Sequence, residues 1–142
     1  MEPKTILIVE DDRDLLLGLK VRLTAHGFTP LLAPDAATAI QMVAIKKPDL
    51  ILLDLGLPDS NGFIVMNIVG QLKSLTPVPI IVVSARPAAV YREPALLAGA
   101  KDYFEKPYNN DALLKAIGRE LGEETPKLLE ATACLPPPSS TN

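Results

Sequence analysis

The chain has 142 residues, 48% hydrophobic and 22% charged, the proportions of one globular domain long enough to bury a core. A net charge of −3, no long basic run and only three Tyr and three Phe with no Trp argue against a nucleic-acid footprint. Cys134 is the only cysteine, so neither an intrachain disulfide nor a thiol-based metal site can form.

No stretch approaches the ~18 apolar residues that a membrane span requires. The start, with Glu2 just ahead of a strand, does not resemble a signal peptide. A reducing, cytoplasmic location without a membrane partner is therefore expected.

Thr5 to Val9 is β-branched and apolar, which predicts a first strand stopping at Glu10-Asp11-Asp12. From Arg13 to Ala25, Leu15, Leu16, Leu19 and Leu23 recur at helical spacing, with Asp12 or Asp14 as the cap. Gly27-Phe28 fits a left-handed helix stop with a hydrophobic clasp. Thr29 to Ala33 predicts a second strand. Pro34-Asp35 then opens a helix with Ala36, Ala39, Ile40 and Val43 inward, and Pro48 ends it.

Leu50-Ile51-Leu52-Leu53 is unbroken apolar sequence, the habit of a central parallel strand buried on both faces. It delivers Asp54 to its carboxyl end, and Gly56 and Pro58 turn the chain. Gly62 to about Leu75 predicts a helix carrying Phe63, Met66, Val69 and Leu72 inward. Ile80 to Val83 is another doubly buried strand, ending at Ser84. Pro87 and Pro94 both interrupt the stretch from Arg86 to Ala100, so a helix there is expected to be short or to start late, with Pro94 in its first turn.

Asp102 to Glu105 predicts a short strand ending at Lys106-Pro107, and Asn110 or Asp111 can cap a last helix to about Leu121. After Gly122 the composition turns to Glu, Thr, Pro and Ser. Residues 1–122 are thus expected to be the domain and 123–142 a flexible tail, in which Lys127 to Ala133 can form a turn or two of helix.

Five alternations of strand and helix with short connections predict a parallel sheet covered by helices on both faces. In such a sheet Glu10, Asp11, Asp54, Ser84 and Lys106 all leave the same edge, where ligands of open α/β sheets collect. Three carboxylates in one pocket repel each other, and a hard divalent cation is the simple remedy. A lysine opposite them supplies a point charge for a phosphoryl oxygen, and a hydroxyl adds a donor. Together these groups make a site for phosphoryl transfer onto Asp54.

The chain from residue 5 to about 121 resembles a response-regulator receiver domain. The resemblance rests on Ile-Leu-Ile-Val-Glu10-Asp11-Asp12, Leu-Leu-Asp54-Leu-Gly-Leu-Pro58, Val-Val-Ser84-Ala85, Gly99-Ala100-Lys-Asp-Tyr103 and Lys106-Pro107, in that order and at the family's spacing. It implies a flavodoxin-like (βα)5 fold, doubly wound, with strand order 2-1-3-4-5.

It also implies that Asp54 accepts phosphate from a phosphohistidine of a sensor histidine kinase or His-phosphotransfer protein. Asp11, Asp54 and the Gly56 carbonyl would bind Mg²⁺, for which Mn²⁺ can substitute, with Glu10 acting largely through a water. Ser84 would be the hydroxyl switch, Tyr103 the aromatic that swings inward with it, and Lys106 the partner of the phosphoryl oxygen. The Lys106–Pro107 bond would be cis.

The implied role is a phosphorelay switch rather than an enzyme, with at most slow self-dephosphorylation. Its output would pass by protein contact or onward phosphotransfer to a downstream protein. The fourth helix, fifth strand and fifth helix would be the readout face, which can also form a homodimer. The alternative within the family is the receiver segment of a longer DNA-binding regulator or hybrid kinase.

An aspartate-nucleophile phosphatase of the haloacid-dehalogenase type needs an acid two residues after the nucleophile, where this chain has Gly56. A flavodoxin-like cofactor module needs a Gly-, Ser- or Thr-rich first turn, which here is Glu-Asp-Asp. A receiver that has dispensed with phosphate would not keep the whole acid, hydroxyl and lysine set. Asp12 is explained by capping, Asp59 as a turn residue after Pro58, and His26 by a helix end that favours a cation.

Overall fold

The computed structural model describes residues 2–72 and 77–122. Strands β1 (Thr5–Val9), β2 (Thr29–Ala33), β3 (Leu50–Leu53), β4 (Ile80–Ser84) and β5 (Asp102–Glu105) alternate with five helices. These are α1 (Arg13–Ala25), α2 (Ala36–Lys46), α3 (Gly62–Gln71), α4 (Ala88–Leu97) and α5 (Asn110–Leu121). All strand pairings are parallel, in the order β2-β1-β3-β4-β5, the flavodoxin-like arrangement. The expected tail at 123–142, with its possible helix and Cys134, lies outside the described residues.

Every residue of β3 is buried, as the unbroken apolar run requires of a strand between β1 and β4. Leu7, Val9, Ile51, Leu53 and Val82 point into a core layer with Ala39 and Val43 of α2, Val65, Met66 and Val69 of α3 and Ala95 of α4. The alternate residues Ile6, Ile8, Leu50, Leu52 and Ile81 face the other way and are just as buried. Each such side chain contributes about 1.5–3 kcal/mol by leaving water. α1 lies against β1 and β2.

The first helix shows how local chemistry sets an element. The Asp12 side chain accepts from the Asp14 and Leu15 N–H groups at 3.0 and 3.2 Å. At the other end Gly27 takes φ +87°, and the Phe28 N–H reaches back to the Leu23 carbonyl at 3.0 Å. Leu16, Leu19 and Leu23 are buried, but Leu15 is 42% exposed and is not part of the inner face.

Two expectations are corrected. α4 is neither short nor late: Pro87 takes the cap position at φ −61°, ψ 128°, and the helix starts at Ala88. Pro94 stands inside it. The donor that Pro94 lacks would serve the Val90 carbonyl, which lies on an exposed turn open to solvent, and the Ala98 N–H still reaches the Pro94 carbonyl at 3.0 Å.

α3 ends at Gln71 with Leu72 as its C-cap, and its predicted reach toward Leu75 lies outside the described residues. The cap of α5 is Asn109, whose side chain accepts from the Ala112 N–H at 2.9 Å, rather than Asn110 or Asp111. Residues up to Tyr108 form one compact unit holding the sheet and α1 to α4, and α5 belongs to a second that begins at Asn109. Leu113, Leu114, Ala116 and Ile117 are the buried apolar residues of α5.

Candidate functional site

Sheet register decides which strand ends meet. Val9 pairs with Leu53, so Glu10 and Asp54 leave β1 and β3 side by side. The backbone continues that order past the strands: the Glu10 N–H donates to the Ala33 carbonyl and the Asp54 N–H to the Val9 carbonyl, both at 3.0 Å. Ser84 pairs with Glu105, and the Lys106 N–H donates to the Ser84 carbonyl at 2.8 Å, which brings the lysine to the same edge. The Lys106–Pro107 bond is cis.

Glu10, Asp11 and Asp54 each present a carboxylate oxygen within 4.8 Å of the others. Lys106 Nζ donates to Glu10 Oε1 at 2.5 Å and to Asp54 Oδ2 at 3.0 Å. The second oxygen of each acid is held by its own loop, Asp54 Oδ1 by the Gly56 N–H at 3.1 Å and Glu10 Oε2 by the Asp12 N–H at 3.0 Å. Glu10 and Asp54 are buried, whereas Asp11 stands exposed at the mouth.

Burial pushes the Glu10 carboxyl above its ordinary range, against the pull of its bonds to Lys106 and the Asp12 N–H. Burial also opposes the charge on Lys106, but its bonds to Glu10 and Asp54 outweigh that and raise its pKa.

Two like charges at such a separation repel by about 3 kcal/mol at an effective dielectric of about 20. One ammonium set against three carboxylates leaves an excess of two negative charges when all are ionised. All the side-chain donors are oxygens, so the set matches a hard divalent cation in both charge and ligand type.

The predicted switch residues lie beside this cluster. Ser84 is 1% exposed, and its Oγ accepts from the Arg86 N–H at 3.2 Å. Tyr103 is buried, its hydroxyl donating to the Arg86 carbonyl at 2.7 Å. Its ring is therefore already inside, where the family resemblance had it swinging inward.

Three residues beyond the predicted set shape the site. Arg86 bonds both Ser84 and Tyr103 through its backbone, stacks its guanidinium over the Tyr91 ring at 5.3 Å and comes within 4.0 Å of the space a Gly56 Cβ would fill. Glu105 accepts from the Ala88 N–H at 2.9 Å and so caps α4 from the neighbouring strand. Asp59 accepts from the Ala36 and Ala37 N–H groups at 2.8 and 3.1 Å. No local sequence pattern marks these contacts, because each joins segments brought together only by the fold. The spacing of Arg86 two residues past Ser84, like that of Gly56 past Asp54, is the nearest thing to a signal.

A profile of the response regulator receiver domain matches residues 6–118. The transcriptional regulatory protein KdpE of Mycobacterium tuberculosis is 37% identical over 112 residues, which cover 79% of this chain and 48% of that protein. The chain spans about half the length of the curated relatives it matches.

Among solved structures, a CheY-like response regulator receiver domain protein from Methanospirillum hungatei superposes with a TM-score of 0.77 at 29% identity, covering 89% of this chain and 99% of that one. The receiver domain of the sensor histidine kinase PA1611 from Pseudomonas aeruginosa gives 0.77 at 28% identity, covering 85% and 99%. That receiver holds a magnesium ion coordinated in its active site cleft.

Proposed function

The chain belongs to the response regulator receiver family, and on that footing we propose that it is a phosphorylation-dependent switch whose acceptor is Asp54. The donor is a phosphohistidine on a sensor histidine kinase or a His-phosphotransfer protein. The observation that carries this reading is the Lys106 ammonium bridging Glu10 and Asp54 within a cluster of three carboxylates.

In the transfer, an Asp54 carboxylate oxygen attacks phosphorus as the P–N bond to the donor imidazole breaks. The bonding pair leaves with the imidazole nitrogen, and Asp54 is left as an acyl phosphate. Glu10, Asp11, Asp54 and the Gly56 carbonyl would hold Mg²⁺, with Mn²⁺ as a substitute. When bound, the ion neutralises charge on the phosphoryl oxygens.

Lys106 turns from the free carboxylate to a phosphoryl oxygen, and Ser84 exchanges its bond with the Arg86 N–H for one to the phosphoryl group. That movement pulls on the loop that also holds the Tyr103 hydroxyl and begins α4. The switch biases an existing two-state equilibrium and is read by a downstream partner on α4 and β5. Turnover is confined to slow self-dephosphorylation, and the protein works in the cytoplasm.

A second reading is favoured by the half-length coverage of the curated relatives. In it this receiver controls the DNA-binding output of a longer regulator.

The test is incubation with acetyl phosphate, with Mg²⁺ or with EDTA. A phosphoryl adduct that forms only with the metal and is discharged by hydroxylamine, as an acyl phosphate is, supports the proposal. An adduct indifferent to both overturns it.

A further inference from the structure

We infer that Asp59 is a positioning residue, which lashes the loop after β3 to the start of α2 and thereby sets the Gly56 carbonyl for the metal. The inference rests on the metal-dependent acceptor role proposed above.

The loop from Leu55 to Asn61 is fastened at its base. The Gly62 N–H donates to the Leu55 carbonyl at 2.9 Å, and Gly56 and Asn61 form an isolated antiparallel bridge. Its tip has one apolar anchor, the buried Leu57, while Gly56, Pro58 and Asp59 are exposed. Asp59 supplies the polar anchor. Its two carboxylate oxygens accept separately from the Ala36 and Ala37 N–H groups, 23 and 22 residues away in sequence.

α2 does not need this contact in order to start. Asp35 already caps it, accepting from the Thr38 N–H at 2.8 Å. The first three N–H groups of the helix are thus divided between a local cap and a distant one. The distant cap is charge-assisted, since carboxylates are favoured at a helix N-terminus, and the bonds to Ala36 and Ala37 hold the Asp59 carboxyl below its usual range. What the second cap fixes is the loop. That loop carries Gly56, whose N–H also holds Asp54 Oδ1 at 3.1 Å, so a displaced tip disturbs both the metal ligand and the acceptor.

The contrast between the two caps provides the test. Mg²⁺ binding is measured by calorimetry on the wild type, Asp59→Ala, Asp59→Asn and Asp35→Ala, with circular dichroism confirming that each is folded. Outer-shell partners of metal ligands are worth about 10–100-fold in affinity, and a loss of about 10-fold is expected for Asp59→Ala. Asp59→Asn, which keeps one acceptor oxygen, is expected to fall between that variant and the wild type. Asp35→Ala, which weakens the same helix end without touching the loop, is expected to bind Mg²⁺ like the wild type.

Wild-type affinity in Asp59→Ala, or an equal loss in Asp35→Ala, overturns the inference and leaves the proposed function standing. A wild type that binds no Mg²⁺ overturns both.

Discussion

Lys106 is the residue on which the metal-free site depends. It serves two buried carboxylates at once, at 2.5 and 3.0 Å. Its raised pKa means that the folded state favours its charge; that stability is fully present below the ordinary value of 10.5 and is lost as pH rises through the folded value. Lys106→Ala leaves both acids without their cation, a loss of about 2–3 kcal/mol for groups this buried. Urea unfolding without metal is expected to show that loss, and added Mg²⁺ to recover most of it. Equal stability of the variant and the wild type without metal contradicts the assignment. At this scale the acids, Ser84 and Lys106 were legible from strand-end position and spacing. Arg86 was not, because its contacts with Ser84, Tyr103, Tyr91 and the space beside Gly56 join segments that only the fold brings together.

Among the elements, the junction of β3 and α3 tolerates least. A Cβ on Gly62 would lie 2.8 Å from Leu55 Cδ2 and 2.9 Å from both the Asp54 carbonyl oxygen and Leu55 Cα. Two of those three atoms are backbone and cannot yield without moving Asp54 or Leu55. Gly62→Ala is therefore expected to cost about 1–3 kcal/mol, as overpacking does, and to slow phosphorylation of Asp54 as well. Thermal melts and adduct formation check the two effects, and wild-type values for both contradict the packing argument.

Strands and capped helices were the readable elements, since their signals are local: unbroken apolar runs, Asp12 and Asp35 before helical spacing, and Gly27 after it. α4 was misread because proline rules describe the chain's own donors. They do not register that Glu105, from another strand, supplies the start with an acceptor, or that the orphaned Val90 carbonyl lies on an exposed turn. Leu15 keeps the helical spacing yet stands exposed, because spacing alone does not say where the buried stripe stops.

At the scale of the whole molecule, stability and signalling share one electrostatic problem. Without metal, the raised Glu10 pKa gives stability that is present below the ordinary 4.5 and lost as pH rises through the folded value, so ionising Glu10 works against folding. Mg²⁺ at ten times its dissociation constant should offset this by about 1.4 kcal/mol, a rise of about 3–7 °C in the melting temperature of a domain this size. That rise should shrink as pH falls through the Glu10 transition and vary less with pH in Glu10→Gln; an equal rise at pH 5 and pH 8 contradicts it.

Whether Asp54 accepts the phosphoryl group is decided by intact mass after exposure to a small phosphodonor with Mg²⁺. The wild type should gain the mass of one phosphoryl group, and Asp54→Asn should gain none. The same gain in Asp54→Asn, at the wild-type rate, would contradict the account.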